Sequence, residues 1–283
     1  MNVYEIVTNA IINKLEQGEI IWKKTWNAQT QAPRNFHSGK LYSGINVFLL
    51  LSGHYQSPYF MTYKQAADKG GTVRKGEKGL PIVFYSKIEK EDHNGDKKEV
   101  AFLRYYTVFN VSQIDGLKDV PAVEAHTISE DGAEEVDLAE SIINGMPCRP
   151  SILAGFTRAS YNPTDDAVKM PTWNSFDSKQ EYYSTLFHEL AHSTGHASRL
   201  NRHETIKNHN FGSVDYSKEE LVAEFSSAFL CAEAGISPTV IDNQAAYIQG
   251  WLKALKHDSK LLVNAAAQAQ KATNYILDRK EVI

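Results

Sequence analysis

Two histidines four residues apart, with a glutamate directly after the first, stand in the segment His188-Glu189-Leu190-Ala191-His192 of this 283-residue chain. On an α-helix, residues i and i+4 share a face, so both imidazoles can reach one ion. Glu189 projects beside them, where it can take a proton from a water activated by the metal instead of binding the metal itself. The pattern is that of a zinc site which hydrolyses peptide bonds.

Zinc in such a site takes three protein groups and leaves one position open, so a third ligand is required. A metzincin would place a histidine ten residues after the first, but position 198 is serine, and no methionine follows His192 to build that class's Met-turn. His196 lies four residues beyond His192, but Gly195 is expected to end the helix before it. The downstream segment SKEELVAEFSSAFL offers Glu220 and Glu224 at i, i+4 on a second helix. This resembles the gluzincin pattern E-x-x-x-D, in which the first acid binds zinc and the second orients a liganding histidine, with glutamate here where aspartate is usual. Glu220 also has the S-x-x-E spacing of a capping-box partner for Ser217. The ligand role is preferred, because two acids beside an apolar stripe of Leu221, Phe225, Ala228 and Phe229 otherwise lack a use. The expectation is one Zn2+ per chain, or another divalent metal, held by His188, His192 and Glu220, with Glu224 outside them and Glu189 catalytic. His196, His203 and Tyr161 are the candidates for stabilising an oxyanion.

Stepping outward, EYYSTLFHELAHSTGH needs a helix, and its start is marked by the capping-box spacing of Ser178 and Glu181, with Asp177 a second possible cap. Leu186, Phe187, Leu190 and Ala191 supply the apolar positions that bury it. The segment ASYNPTDDAVKMPTW just before it reads as a strand. An edge position there would let an extended peptide pair by backbone hydrogen bonds, and an internal position would not. Upstream, residues 3–18 place Val3, Ile6, Val7, Ala10, Ile11 and Leu15 at helical spacing and end on Gly18. Residues 22–116 alternate short β-branched and aromatic runs with turn signals, among them HNGD between two strand-like runs, which predicts a hairpin. The fold class is α+β in two domains, 1–120 and 137–283, joined by an acidic linker at 121–136.

Composition sets the limits. Hydrophobic residues make up 42% and charged residues 23%, ordinary for a globular protein. No stretch approaches the ~18 uninterrupted apolar residues of a membrane span, and the N-terminus lacks the basic start and apolar run of a secretory signal. Cys148 and Cys231 lie far apart in no metal-binding spacing, which argues against a disulfide framework. A cytoplasmic protein is expected. The net charge of −4 is unevenly spread: residues 1–120 carry 16 Lys and Arg against 12 Asp and Glu, the remainder 14 against 22.

The mildly basic half interleaves aromatics with cations and amides: Trp22, Trp26, Arg34, Asn35, Lys40, Tyr42, Asn46, Tyr63, Lys64, Arg74, Lys75 and Lys78. Rings stack on unpaired bases and cations follow phosphates in sequence-tolerant single-strand binders, although most aromatics in a domain this size fill its core. The runs PRNFHSGKLYSGINVFLL, TYKQAADKGGTVRKGEKGLPIVF and LRYYTVFNVSQIDGL resemble the N-terminal domain of ArdC-type antirestriction proteins, and DDAVKMP, FDSKQEYYSTLFHELAHSTGHASRLNR and YSKEELVAEFSSAFL resemble the metallopeptidase domain of the same family. The resemblance implies a plasmid- or mobile-element-encoded protein used during conjugative transfer. It would bind single-stranded DNA through its first domain and protect incoming DNA from host restriction, with a restriction enzyme or another host protein as a possible substrate. The alternative is a DNA-coating protein whose metal site is structural or acts on an unrelated host protein.

Overall fold

The computed structural model describes residues 2–24, 32–91, 97–122, 133–205, 214–236 and 244–280. The fold is α+β, and the chain divides into two compact units, Met1–Ala10 with Gln31–Val123 and Ile11–Thr30 with Glu124–Ile283.

The 3.6-residue spacing near the N-terminus produces helix α1 (Val3–Glu16), which buries Val7, Ile11 and Leu15 and closes on Gly18 in a left-handed conformation. A single turn, α2 (Ile21–Lys24), follows. In the first unit come β1 (Arg34–Asn35), α3 (Ile45–Leu51), β2 (Tyr59–Thr62), α4 (Tyr63–Asp68), β3 (Thr72–Val73), β4 (Leu80–Glu91), β5 (Lys97–Asn110) and β6 (Ile114–Asp115). β1, β2, β5 and β4 form one sheet in that order, and β3 pairs with β6. β4 and β5 run antiparallel from Leu80 opposite Val108 to Glu91 opposite Lys97, the hairpin that the flanking strand runs predict; its HNGD tip lies outside the described residues. Leu50 of α3 packs with Phe60 and Val108 on one face of the sheet, while Met61 packs with Ala66 and Ile114 in a second small core.

β4 is an edge strand. The Asn46 side chain on α3 donates to the Val83 carbonyl at 2.8 Å and accepts from the Val83 N–H at 2.7 Å, imitating a neighbouring strand. Pro81, two residues back and so facing the same way, has no N–H to offer.

The second unit continues with α5 (Ala133–Gly145), which begins inside the stretch expected as linker; residues 123–132 of that linker lie outside the described residues. Three short strands follow, β7 (Ser151–Ala154), β8 (Ser160–Asn162) and β9 (Ala167–Met170), in the order β7-β9-β8. The segment read from sequence as one strand is thus a hairpin: β8 is an edge and β9 is internal. Helices α6 (Lys179–Ser193), α7 (Val214–Glu233), α8 (Gln244–His257) and α9 (Leu261–Ile276) complete the unit. Leu186, Phe187 and Leu190 of α6 bury against Val168 and Met170 of β9, Leu230 and Cys231 of α7, and Ile276 of α9.

Residues 11–24 belong with this second unit, so a simple boundary at 120 does not separate the two. The physical reason is visible at Trp22, fully buried with its ring edge-on to Phe225 at 4.9 Å and to Trp251 at 5.1 Å. A side chain enclosed in this way cannot stack on a base, so the expected DNA contact by Trp22 is withdrawn.

Candidate metal centre

Helix α6 starts where Ser178 accepts a hydrogen bond from the Glu181 N–H at 3.1 Å. The Glu181 carboxylate reaches back to the N–H of Asp177 at 2.8 Å, one residue beyond the box geometry expected. The helix ends at Ser193 ahead of Gly195, as the glycine predicts. Between these limits His188 and His192 stand one turn apart, with their Nε2 atoms 3.1 Å from each other. Helix α7 packs against α6 and brings in Glu220. Its carboxylate oxygens lie 3.6 Å from His188 Nε2 and 3.6 Å from His192 Nε2. One donor atom from each of the three residues falls within 4.8 Å of the others. α7 begins at Val214, so Ser217 sits inside the helix and is not its N-cap. The capping reading of Glu220 is thereby removed.

The three donors suit a divalent cation. Two imidazole nitrogens this close, both facing one carboxylate, are a concentration of lone pairs that the protein alone satisfies only by holding a proton. Burial disfavours charge on His188, but the hydrogen bond it donates to Glu220 and the negative charges of Glu220, Glu224 and Glu189 outweigh it, and the imidazole is pushed up to about 9. Burial likewise acts to raise Glu220, yet His188, His192 and the Tyr216 hydroxyl hold it at about 2. A cation replacing the proton meets the same attraction, and its binding releases that proton. Glu189, between the two histidines in sequence, is buried to within 8%.

Sequence reasoning missed Glu219. Its Oε1 faces His192 Nδ1 at 3.3 Å, opposite the nitrogen that turns toward Glu220. Arg202 clamps it with two hydrogen bonds of 2.8 and 2.6 Å and is itself tied to Thr194 Oγ1 at 2.9 Å and the Ala191 carbonyl at 3.0 Å. His203 Nε2 adds a contact at 3.4 Å. Burial acts to raise the Glu219 carboxyl, but the hydrogen bonds from Arg202, His192 and His203 win and hold it well below the usual range. The orienting role expected of Glu224 toward a histidine ligand is therefore filled at His192 by Glu219, while Glu224, one turn further along α7, contributes charge near His188. The only advance signal was the acid pair Glu219-Glu220 together with Arg202-His203 upstream.

The other candidates have different employment. His196 Nδ1 turns to Ser198, 2.8 Å from its Oγ. The Tyr161 hydroxyl donates to Asp166 at 2.8 Å and accepts from Arg199 at 3.1 Å, so its proton is committed away from any oxyanion. His203 lies beside the Tyr161 ring, centroids 6.1 Å apart. An added Cβ at Gly195 would stand 2.3 Å from the His203 ring, so this glycine provides room for that imidazole.

In the first unit, several residues expected to touch DNA have partners within the fold. Asn35 donates to the Tyr42 hydroxyl and to Gln65, and accepts from the His37 and Ser38 amides. Tyr42 packs on the Leu50 core and Asn46 covers β4. Arg34 lies over the Tyr59 ring, and Arg74 bridges Glu77, Asp115 and the Ser112 carbonyl. Lys40, Tyr63, Lys64, Lys75 and Lys78 are exposed, and Trp26 lies outside the described residues.

An HExxH helix, a glutamate from a second helix and a three-stranded sheet beside them define a zincin-like domain. The family model described as a zincin-like metallopeptidase matches residues 139–268, and that for the N-terminal domain of anti-restriction factor ArdC matches residues 1–109. The chain is similar over nearly its whole length to two crystal structures of the antirestriction protein ArdC from the R388 plasmid. The metal-free form is 38% identical with a TM-score of 0.80, covering 99% of this chain and 100% of that one. The Mn(II)-bound form is 39% identical with a TM-score of 0.79, covering 98% of each. DNA primase TraC of Escherichia coli is 36% identical over 99% of this chain, which spans only 20% of that relative; a second TraC of the same organism is 37% identical and is spanned to 27%. The chain belongs to the ArdC-type antirestriction family.

Among the described residues, no helix is long and apolar enough to cross a membrane.

Proposed function

We propose that this protein is a metal-dependent peptidase that binds single-stranded DNA through its N-terminal unit and protects incoming DNA from host restriction, in the cytoplasm of the recipient cell. The convergence of His188, His192 and Glu220, with Glu189 beside them, carries the reading. Zinc is the metal that two imidazoles and one carboxylate best suit. When bound, the ion supplies Lewis-acid polarisation of a peptide carbonyl and of water. Glu189 accepts the proton of the attacking water and returns it to the leaving amine. Glu219, clamped by Arg202, holds His192 in the tautomer that presents Nε2 to the metal. β8 offers an edge at which an extended substrate could pair. A host protein, such as a restriction enzyme, is the substrate class the family membership favours.

The test is Glu189→Gln, which removes the base and keeps the shape. Restriction protection should fall to the background of cells lacking the protein, with metal content and single-stranded DNA affinity unchanged. Full protection by this variant would mean that DNA binding alone protects and that peptide chemistry is not the mechanism.

A further inference from the structure

Residues 20–67 contain no Asp or Glu and five cations, Lys23, Lys24, Arg34, Lys40 and Lys64. Within this run Arg34 differs from a solvated surface charge. It sits in β1 between Tyr59 of β2 and Leu41, which meets it in a single antiparallel bridge. Its backbone N–H donates to the Pro58 carbonyl at 2.8 Å. The turn that follows is locked by the Asn35 side chain, whose oxygen accepts from the His37 and Ser38 amides. The Arg34 side chain is therefore rooted in fixed backbone. It is half-buried, and its Nε is closed off from solvent without a hydrogen-bond partner. Among the described residues the guanidinium makes no ion pair and no hydrogen bond. The Tyr59 ring lies beside it, 5.9 Å from the guanidinium carbon to the ring centroid. A ring attracts the charge but leaves the N–H donors unfilled. Arg74, Arg199, Arg202 and Arg279, by contrast, all give their donors to carboxylates or carbonyls.

Resting on the single-stranded DNA binding proposed above, we infer that Arg34 is an anchor for one backbone phosphate of the strand, with Tyr59 and Leu41 beside it. A guanidinium drawn part-way out of water with unused donors is costly until an acceptor arrives. The chain supplies none locally, since no acid stands between Glu19 and Asp68. The acceptor therefore comes from a ligand. The guanidinium fork matches the paired oxygens of a phosphate. A phosphodiester joins two sugars, so its charge arrives flanked by less polar edges, and Arg34 is flanked by the Tyr59 ring and the exposed Leu41. Lys40, in the turn between Arg34 and Leu41, and Lys64, in the first turn of α4, are exposed and add attraction of the same sign. A strand that carries one phosphate per nucleotide is drawn to such a run of uncompensated cations all along its length.

The experiment measures affinity of the full chain for a labelled oligo-deoxythymidine across a salt series, with melting curves on every variant. Arg34→Met keeps the apolar stem and removes the fork. It should weaken binding about 10- to 100-fold at low salt, the range for losing charged hydrogen bonds, and flatten the log–log salt slope by about 0.7, the value for one phosphate of a single strand. Its thermal midpoint without DNA should not fall, because the group removed has no acceptor in the free protein. Arg34→Lys keeps the charge without the fork, so it should restore the slope and only part of the affinity. That variant also carries the test if Arg34→Met fails to fold. An affinity loss in Arg34→Met at unchanged slope, or wild-type affinity in Arg34→Lys, would overturn the two-pronged phosphate contact. So would a variant that loses affinity for a hexaglutamate peptide and keeps it for the oligonucleotide, since the anion would then be a carboxylate. If wild type binds the oligonucleotide and Arg34→Met binds it with the same affinity and slope, the anchor is wrong while single-strand binding stands; if wild type does not bind, both fall.

Discussion

Neighbouring residues on a helix point about 100° apart, and Glu219 and Glu220 divide their work on that account. Glu220 faces the two Nε2 atoms, and Glu219 faces His192 Nδ1 on the other side of the ring. The consequences of removing them differ. His188→Ala or Glu220→Ala should abolish stoichiometric zinc uptake in a chelator competition assay. Glu219→Gln should weaken it about 10- to 100-fold, the usual range for a group that orients a ligand without touching the ion. A silent Glu219→Gln would mean that His192 needs no orientation. His188, Glu189 and His192 were legible in the sequence because the i, i+4 spacing encodes their shared face by itself. Glu219 was not, because nothing in a run of acids tells which one a second helix turns toward a histidine. That depends on the rotation of α7 against α6 and on Arg202 arriving from the connecting segment.

At the scale of elements, the β8–β9 hairpin is pinned to the end of α6 by one side chain. Arg199, almost wholly buried, pairs with both Asp166 oxygens and reaches the Ser193 carbonyl at 2.7 Å and the Cys148 carbonyl at 2.9 Å. The Arg199 hydrogen bond, foremost, depresses the Asp166 carboxyl below its ordinary value against the opposing effect of burial. A depressed carboxyl contributes stability that is fully present above the unfolded value, about 4, and is lost as pH falls through the lower folded value. The gap in Tm between wild type and Asp166→Asn should therefore stay constant from neutral pH down to about 5 and close in more acid solution. A gap independent of pH would assign the pin to shape and not to charge. The segment 159–173 reads in the sequence as one strand, although it carries the turn signal of the hairpin. Pro163, Asp165 and Asp166 interrupt the run, and Asp166 takes the left-handed conformation that aspartate tolerates.

Across the whole molecule, the order of the chain and the order of the units do not coincide, since residues 11–24 pack with the metal-binding unit. Trp22→Ala should destabilise that unit by about 3–5 kcal/mol, as expected for emptying a large core site, and lower its thermal midpoint in calorimetry. Oligonucleotide affinity of the folded variant should not change, and a selective loss of DNA binding at unchanged midpoint would reinstate Trp22 as a contact. Composition could not reveal this, because a tryptophan among lysines reads alike whether it faces solvent or a helix distant in sequence. The two expected halves were legible as a shift in residue usage; the return of the N-terminal segment is a long-range packing choice with no local signature. The covered edge of β4 has a bearing on self-association. With Pro81 lacking a donor and Asn46 occupying both polar groups of Val83, that stretch of edge cannot recruit a strand from a neighbouring copy. Neighbouring copies, however densely they gather, are thus kept from zipping together along this border.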